Sequence, residues 1–499
     1  MTFTPRADLV PNTAAYENIP LVKATGFREY DARWLFGPEI NLLGIQALGL
    51  GLGTYIQDLG HSKIVVGHDF RSYSLSIKQA LTLGLIEAGC EVFDIGLALS
   101  PTAYFAQFHL DVPCVAMVTA SHNENGWTGV KMGAQKPLTF GPDEMGALKD
   151  IVLGGKFKPK AGGKLTRVEG VTEAYIADAA SRAKITRPLK VVCACGNGTA
   201  GAFAPEALAR MGVEVIPMDT SLDYTFPRYN PNPEDHEMLV SMAEEVKKHG
   251  ADLALGFDGD GDRCGVVDDE GEEIFADKIG LMLARDLAPL HKGATFIVDV
   301  KSTGLYATDP ILEENGCTTI YWKTGHSYIK RKTAEVGALA GFEKSGHFFL
   351  AGELGRGYDD GLVAAAAVLM MLERNPGKKM SDLKKALPVA YTSLTMSPHA
   401  ADEVKYDVVA RIVKEYEDLF AAGGSILGRK IKDVITVNGV RVALEDGSWV
   451  LVRASSNKPE MVVVVESTQS ADDMRALFRE EVKPRLAKHP EVGAYNQEV

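Results

Sequence analysis

The 499-residue chain has no apolar run long enough to cross a bilayer. Spanning takes about 20 consecutive apolar residues, and the most apolar early stretch, LLGIQALGLGLG (42–53), is short and broken by glycine. The opening MTFTPRADLV lacks the apolar core of a secretory signal. Basic charge is also in deficit: 53 Lys and Arg stand against 66 Asp and Glu, a formal net charge of -13. Nucleic acid and anionic membranes both need extended basic surface, so neither is expected as a partner. Cysteine is scarce, with six residues, mostly inside apolar runs and with no CxxC pair. That excludes a disulfide framework and reads as reduced thiols in a cytoplasmic protein. A GxGxxG fingerprint is missing too. GLGLG (49–53) follows a helical pattern, so its glycines are expected to pack helices rather than cradle a dinucleotide.

Glycine itself is plentiful, with 50 residues falling beside short apolar runs, as in an α/β protein with many strand-to-helix turns. At about 100 to 200 residues per domain, the length suggests roughly three or four domains. A pattern recurs along the first three quarters. KIVVGHDFRS (63–72), LKVVCACGNGT (189–199) and TFIVDVKSTG (295–304) are β-branched strands ending in small or polar loops before a helical stretch. Second strands follow at GCEVFDIG (89–96), GVEVIPMD (212–219) and GCTTIYWKTGH (316–326). Third members are CVAMVTASHN, ADLALGFDGDGDR (251–263) and GALAGFEKSGH (337–347). Three strand–helix–strand–helix–strand units predict three related α/β domains, each presenting one loop to a shared central cleft. After about Pro388 an amphipathic helix and alternating strands predict a separate α+β domain. The expected boundaries are 1–168, 169–275, 276–387 and 388–499.

TASHNENGWTGVKMG (119–133) places the Ser121 hydroxyl at the end of an apolar strand, where α/β proteins present their chemistry. His122, Asn123 and Asn125 can orient that hydroxyl, and Lys131 can bring an ammonium to it; capping of a helix by Ser121 is the bland alternative. DGDGDR sets Asp258, Asp260 and Asp262 at alternate positions around glycines, a hard oxygen set suited to Mg²⁺. An EF-hand is excluded because Arg263 takes the glycine position and Asp269 that of the final glutamate. An aspartyl-phosphate hydrolase with Asp258 as nucleophile stays open. FEKSGH offers Glu343 and Ser345 as polyol partners and His347 for acid–base work. RASSNKP (453–459) offers Arg453, hydroxyls and backbone N–H groups as an anion cradle, and Lys301 and His326 add basic character.

Taken in order, TASHNxNxxxGxK, DGDGDR, FEKSGH and RASSNKP resemble the α-D-phosphohexomutase family over essentially the whole chain. The run DVKSTG, WKTGHSYIK, GALAGFEKSGH and GYDDG is similar to the branch that takes both mannose and glucose phosphates. The resemblance implies a phosphorylated Ser121 that exchanges its phosphoryl group with a hexose phosphate through a hexose 1,6-bisphosphate, which also serves as activator. It implies Mg²⁺ held by Asp258, Asp260, Asp262 and an oxygen on Ser121, with Lys131, Arg263 and His347 in catalysis. It implies substrate contacts from Tyr30, Arg33, Lys301, His326, Glu343, Ser345, Arg453, Ser455, Ser456 and Asn457. A phosphoglucosamine mutase is the alternative within the family. The expected partners are small sugar phosphates, and the expected state is a monomer or weak homo-oligomer. Departures from the family pattern fall at Glu124 and Asn125, at Phe342, and at Ser456 to Lys458.

Overall fold

A computed structural model describes residues 18–455 and 458–499. The chain forms two compact units. One combines the residues up to Ala276 with Ser345–Ser381; the other combines Asp277–Lys344 with Asp382–Val499. The stretch Ser345–Ser381 falls in the first unit. The reason is local: Gly346 O accepts from Cys264 N at 3.1 Å, and Gly361 N donates to Gly261 O at 3.1 Å.

The first unit holds two mixed sheets. In one, the β-branched strands Lys63–His68, Glu91–Leu97 and Cys114–Val118 run parallel, and Trp127–Gly133 returns antiparallel beside Cys114–Val118. This return follows from chain length, because the eight residues 119–126 are too few for a crossover and suffice for a reversal. In the other sheet Lys190–Ala194 lies between parallel Glu214–Met218 and Leu253–Phe257, and Cys264–Asp268 turns back antiparallel after the aspartate loop. Both chemical loops are thus reversals at the carboxyl ends of fully buried strands.

The GLGLG stretch lies inside the helix Leu42–Asp58, which packs on Ser74–Glu87. A Cβ at Gly49 would sit 2.1 Å from Leu81 O, and one at Gly84 would sit 2.0 Å from Gln46 O. These glycines buy close helix packing, as the pattern predicted.

In the second unit Thr295–Asp299 runs parallel between Thr318–Trp322 and Ala340–Phe342. The helix Lys405–Ala421 covers an antiparallel sheet that includes Arg429–Ile435, Val440–Leu444, Trp449–Ala454 and Met461–Ser467. The predicted three repeats and α+β end are therefore both present. Among the described residues, no helix is long and apolar enough to cross a membrane.

Candidate active site

Ser121 sits in a reversal between two strands, not at a helix start, so the capping alternative falls away. Its backbone is left-handed, with φ 52°, a conformation that costs a non-glycine residue about 1 kcal/mol. Cross-bracing holds it there. Arg71 donates to Ser121 O at 2.9 Å, Asn123 O at 2.6 Å and Glu124 O at 3.2 Å. Thr119 Oγ1 accepts from Ser121 N at 2.8 Å and donates to Asp69 Oδ2 at 2.9 Å. Arg33 donates to Thr119 O at 3.3 Å and to Asp31, with Tyr30 half-buried nearby in sequence. Asn230 donates to His122 O and Asn125 to Tyr224 O, so the second repeat straps the serine loop.

The Ser121 hydroxyl donates to Asp258 Oδ2 at 3.1 Å and lies 3.2 Å from His122 Nδ1. Burial, with the Arg263 and Arg33 guanidiniums nearby, pushes the His122 imidazole well below its ordinary value. It is a neutral neighbour. Asp258, Asp260 and Asp262 are each fully buried, and their oxygens approach within 4.8 Å of one another. Burial and the two other carboxylates push Asp258 well above the carboxylate range. Lys131 Nζ donates to Asp260 Oδ2 at 2.7 Å and to Asp262 Oδ2, and Ser100 Oγ donates to Asp260 Oδ2 at 2.5 Å. Burial raises Asp260, but Lys131 and Ser100 outweigh it and hold that carboxyl below its usual range. Burial lowers Lys131, yet Asp260 and Asp262 hold it well above its own, so it is an ammonium.

The Lys131 ammonium and the Arg263 guanidinium, 3.8 Å from Asp258 Oδ2, stand against three carboxylates, which leaves a deficit of one positive charge. Asp260 Oδ1 and Asp262 Oδ1 are buried with no hydrogen-bond partner. Unmet hard oxygen atoms beside an uncompensated carboxylate fit a divalent cation such as Mg²⁺. Asp258 is a poor nucleophile here, since its Oδ1 accepts from Arg263 N at 3.2 Å and its Oδ2 from Ser121.

Arg263 Nε donates to His347 Nε2 at 3.0 Å, and its Nη1 donates to Glu234 Oε2 at 3.3 Å. The first unit thus brings together Ser121, the three aspartates, Lys131, Arg263 and His347, with Ser345 half-buried two residues before the histidine.

The second unit carries Lys301, His326, Glu343, Arg453 and Ser455. Buried Asp299 organises three of its loops: it accepts from Ser302 Oγ at 2.6 Å, Thr324 Oγ1 at 3.1 Å and Lys344 N at 3.3 Å. Gly325 N donates to Glu343 Oε1, joining the loop of His326 to that of Glu343. Arg441, stacked between Tyr321 and Trp449, donates to the carbonyls of Val300 and Ser302 on either side of Lys301. Arg453 is buried and donates to Ala454 O at 2.9 Å, and Ser455 Oγ accepts from Lys458 N at 3.3 Å. Ser456 and Asn457 lie outside the described residues.

Sequence reasoning missed Asp69, Arg71, Asn230 and Asp299. Each of the two aspartates ends or follows the first strand of a repeat, which was the available signal.

Four family descriptions of phosphoglucomutase/phosphomannomutase match in chain order. They are alpha/beta/alpha domain I over residues 24–159, domain II over 172–271, domain III over 275–391 and the C-terminal domain over 402–483. A phosphomannomutase/phosphoglucomutase of Pseudomonas putida is 33% identical over 471 residues, covering 92% of this chain and 96% of that one. A probable phosphoglucosamine mutase of Methanothermobacter thermautotrophicus is 30% identical over 443 residues, covering 87% and 92%. A crystal structure from Burkholderia thailandensis, of a phosphoglucomutase/phosphomannomutase family protein, superposes with a TM-score of 0.84. Its identity is 29%, over 95% of this chain and 99% of that one.

Proposed function

Because this chain belongs to the phosphoglucomutase/phosphomannomutase family, we propose that it interconverts the 1- and 6-phosphates of mannose and glucose, with Ser121 as phosphate carrier. The observation that carries the reading is the Ser121 hydroxyl lying 3.1 Å from Asp258 in a buried three-carboxylate site. Asp258, Asp260 and Asp262, with an oxygen of the phosphoserine, would hold Mg²⁺, which supplies positive charge to neutralise the transferring group.

Phosphoryl transfer is chiefly positioning and neutralisation of charge. A sugar hydroxyl oxygen bonds to phosphorus as the bond from phosphorus to Ser121 Oγ breaks, giving the 1,6-bisphosphate and a free serine. The other phosphate then returns to Ser121 by the reverse step. Lys131, held as an ammonium, and Arg263 stabilise charge on the phosphoryl oxygens. His347 Nε2 takes the proton of the attacking hydroxyl as the Arg263 N–H that it accepts turns to the phosphoryl oxygens. Tyr30 and Arg33 contact substrate beside the serine loop.

Sugar recognition falls to Glu343 and Ser345, with Lys301 and His326 beside them. Arg453, Ser455, Ser456 and Asn457 take the phosphate that is not transferred. A grip on the 3- and 4-hydroxyls cannot separate mannose from glucose, which differ at carbon 2. The divisions at 168, 275 and 387 belong to this same reading, one part for each task.

The test supplies each sugar 1-phosphate, glucosamine 1-phosphate included, with a trace of its 1,6-bisphosphate and measures the 6-phosphate formed. Mannose and glucose are expected to turn over at comparable rates. A glucosamine rate well above both replaces this reading with a phosphoglucosamine mutase.

A further inference from the structure

From Phe296 to Tyr306 every residue is buried except Lys301. The stretch leaves the strand Thr295–Asp299 in a turn, and Lys301 is its one half-exposed side chain. The backbone on either side of Lys301 is held at every step. Val300 N donates to Trp322 O at 3.0 Å and Ser302 N to Asp299 O at 2.9 Å. Arg441 Nη1 donates to Val300 O at 2.6 Å and to Ser302 O at 2.7 Å. A peptide unit is planar, so a hydrogen bond at one of its atoms restrains the whole plane. Val300 O belongs to the unit before Lys301 and Ser302 N to the unit after it. With both planes held, the φ and ψ of Lys301 are set, and so is the line along which its side chain leaves the turn.

Packing alone does not call for an arginine at 441. Its surroundings are apolar, with Val300, Trp449, Leu451, Val462 and Val464 in one buried cluster, and a leucine or methionine would fill the space without burying a charge. The guanidinium does what those side chains cannot. It is buried between two rings, 4.1 Å from the Tyr321 centroid and 3.7 Å from that of Trp449, which fixes its plane. Its two Nη1 hydrogens are then aimed at two carbonyls at once. A lysine has neither the plane to stack nor the rigid fork, so it is no equivalent here.

We infer that Arg441 is a positioning residue, clamping the turn so that the Lys301 ammonium is aimed at the sugar phosphate. This rests on the mutase reading, and it adds a residue to it. The Lys301 charge sits at the end of a long flexible stem, so a tilt at its Cα becomes a larger displacement at Nζ. Misplacing a substrate-positioning group by about 1 Å costs on the order of 100-fold in rate.

Two measurements test it. Hydrogen exchange reads the clamp without substrate: in Arg441→Lys the amides of Val300 and Ser302 should exchange about tenfold faster than in wild type, with those of Lys190–Ala194 unchanged. Unaltered exchange in the turn overturns the proposal, whether or not the protein turns over any hexose phosphate, so this failure is distinct from failure of the mutase reading. The second is a double-mutant cycle on kcat/KM for glucose 1-phosphate, with a trace of glucose 1,6-bisphosphate. Arg441→Lys alone should lower kcat/KM about tenfold or more. In a Lys301→Met background it should lower it by less than about twofold, because the charge that the clamp aims is already gone. An undiminished loss in that background makes Arg441 a plain structural residue. Arg441→Gln guards against a lysine variant that does not fold. It keeps an uncharged donor too short to hold both carbonyls, and the same faster exchange and the same cancellation with Lys301→Met are expected of it.

Discussion

Lys131 Nζ lies 2.7 Å from Asp260 Oδ2, and the same ammonium reaches Asp262, so one cation bridges two of three buried carboxylates. Lys131→Met removes that charge and leaves a buried, unneutralised cluster, a change that costs several kcal/mol unless another cation enters. The expected outcome is a protein whose melting temperature falls in chelator and recovers with Mg²⁺, and whose mutase kcat drops about 100-fold or more. Scanning calorimetry with and without Mg²⁺ reads the first and the coupled assay the second.

Chelation of the wild type should abolish turnover, with recovery on adding Mg²⁺. Asp260→Asn should lose turnover at all Mg²⁺ concentrations while keeping its far-ultraviolet circular dichroism. Full activity after exhaustive chelation would remove the cation from the reading.

Ser121→Ala should take up no phosphate from glucose 1,6-bisphosphate by intact-mass and peptide spectrometry. Its φ of 52° supplies a second readout. Glycine adopts that backbone without strain, so Ser121→Gly should be more stable than Ser121→Ala by about 1 kcal/mol in denaturant unfolding. Equal stabilities would mean the loop relaxes once the hydroxyl is gone.

Glu466 gives a pH prediction in the second unit. Burial pushes its carboxyl up, but the Lys278 charge and hydrogen bonds from Thr392, Gly304 N and Trp449 outweigh burial and hold it at about 2 instead of 4.5. A depressed carboxylate contributes stability above its unfolded value that is lost as pH falls through its folded one. The window here runs from 4.5 down to about 2, and the contribution is about 3 kcal/mol. Glu466→Gln should therefore be less stable than wild type at pH 7, and the gap should narrow across that window. A gap independent of pH would assign the loss to packing.

Glu343→Ala should damage mannose and glucose turnover together, because the hydroxyls it is proposed to grip are common to both sugars. Loss of one activity alone would move recognition to carbon 2.

The repeats were readable because β-branched runs of period two, closed by glycine and small polar residues, carry their own signal at each strand end. Ser121 and the three aspartates were readable for a similar reason, since each sits within a few residues of its strand. Arg71 and Asn230 were not. Nothing near Arg71 in sequence shows that its guanidinium will meet the carbonyls of Ser121, Asn123 and Glu124, some fifty residues on.

The amino-acid sequence alone determined the order of strands and helices, the serine and aspartate loops, and the family. Those are properties of short windows, where periodicity and residue type decide the outcome. Tertiary structure decided the left-handed backbone at Ser121, the pairing of Lys131 with aspartates 129 and 131 residues away, and the packing of Ser345–Ser381 with the first unit. These depend on which buried charges and carbonyls end up within 3 Å of each other, and a buried polar group takes its partner from wherever the folded chain supplies one.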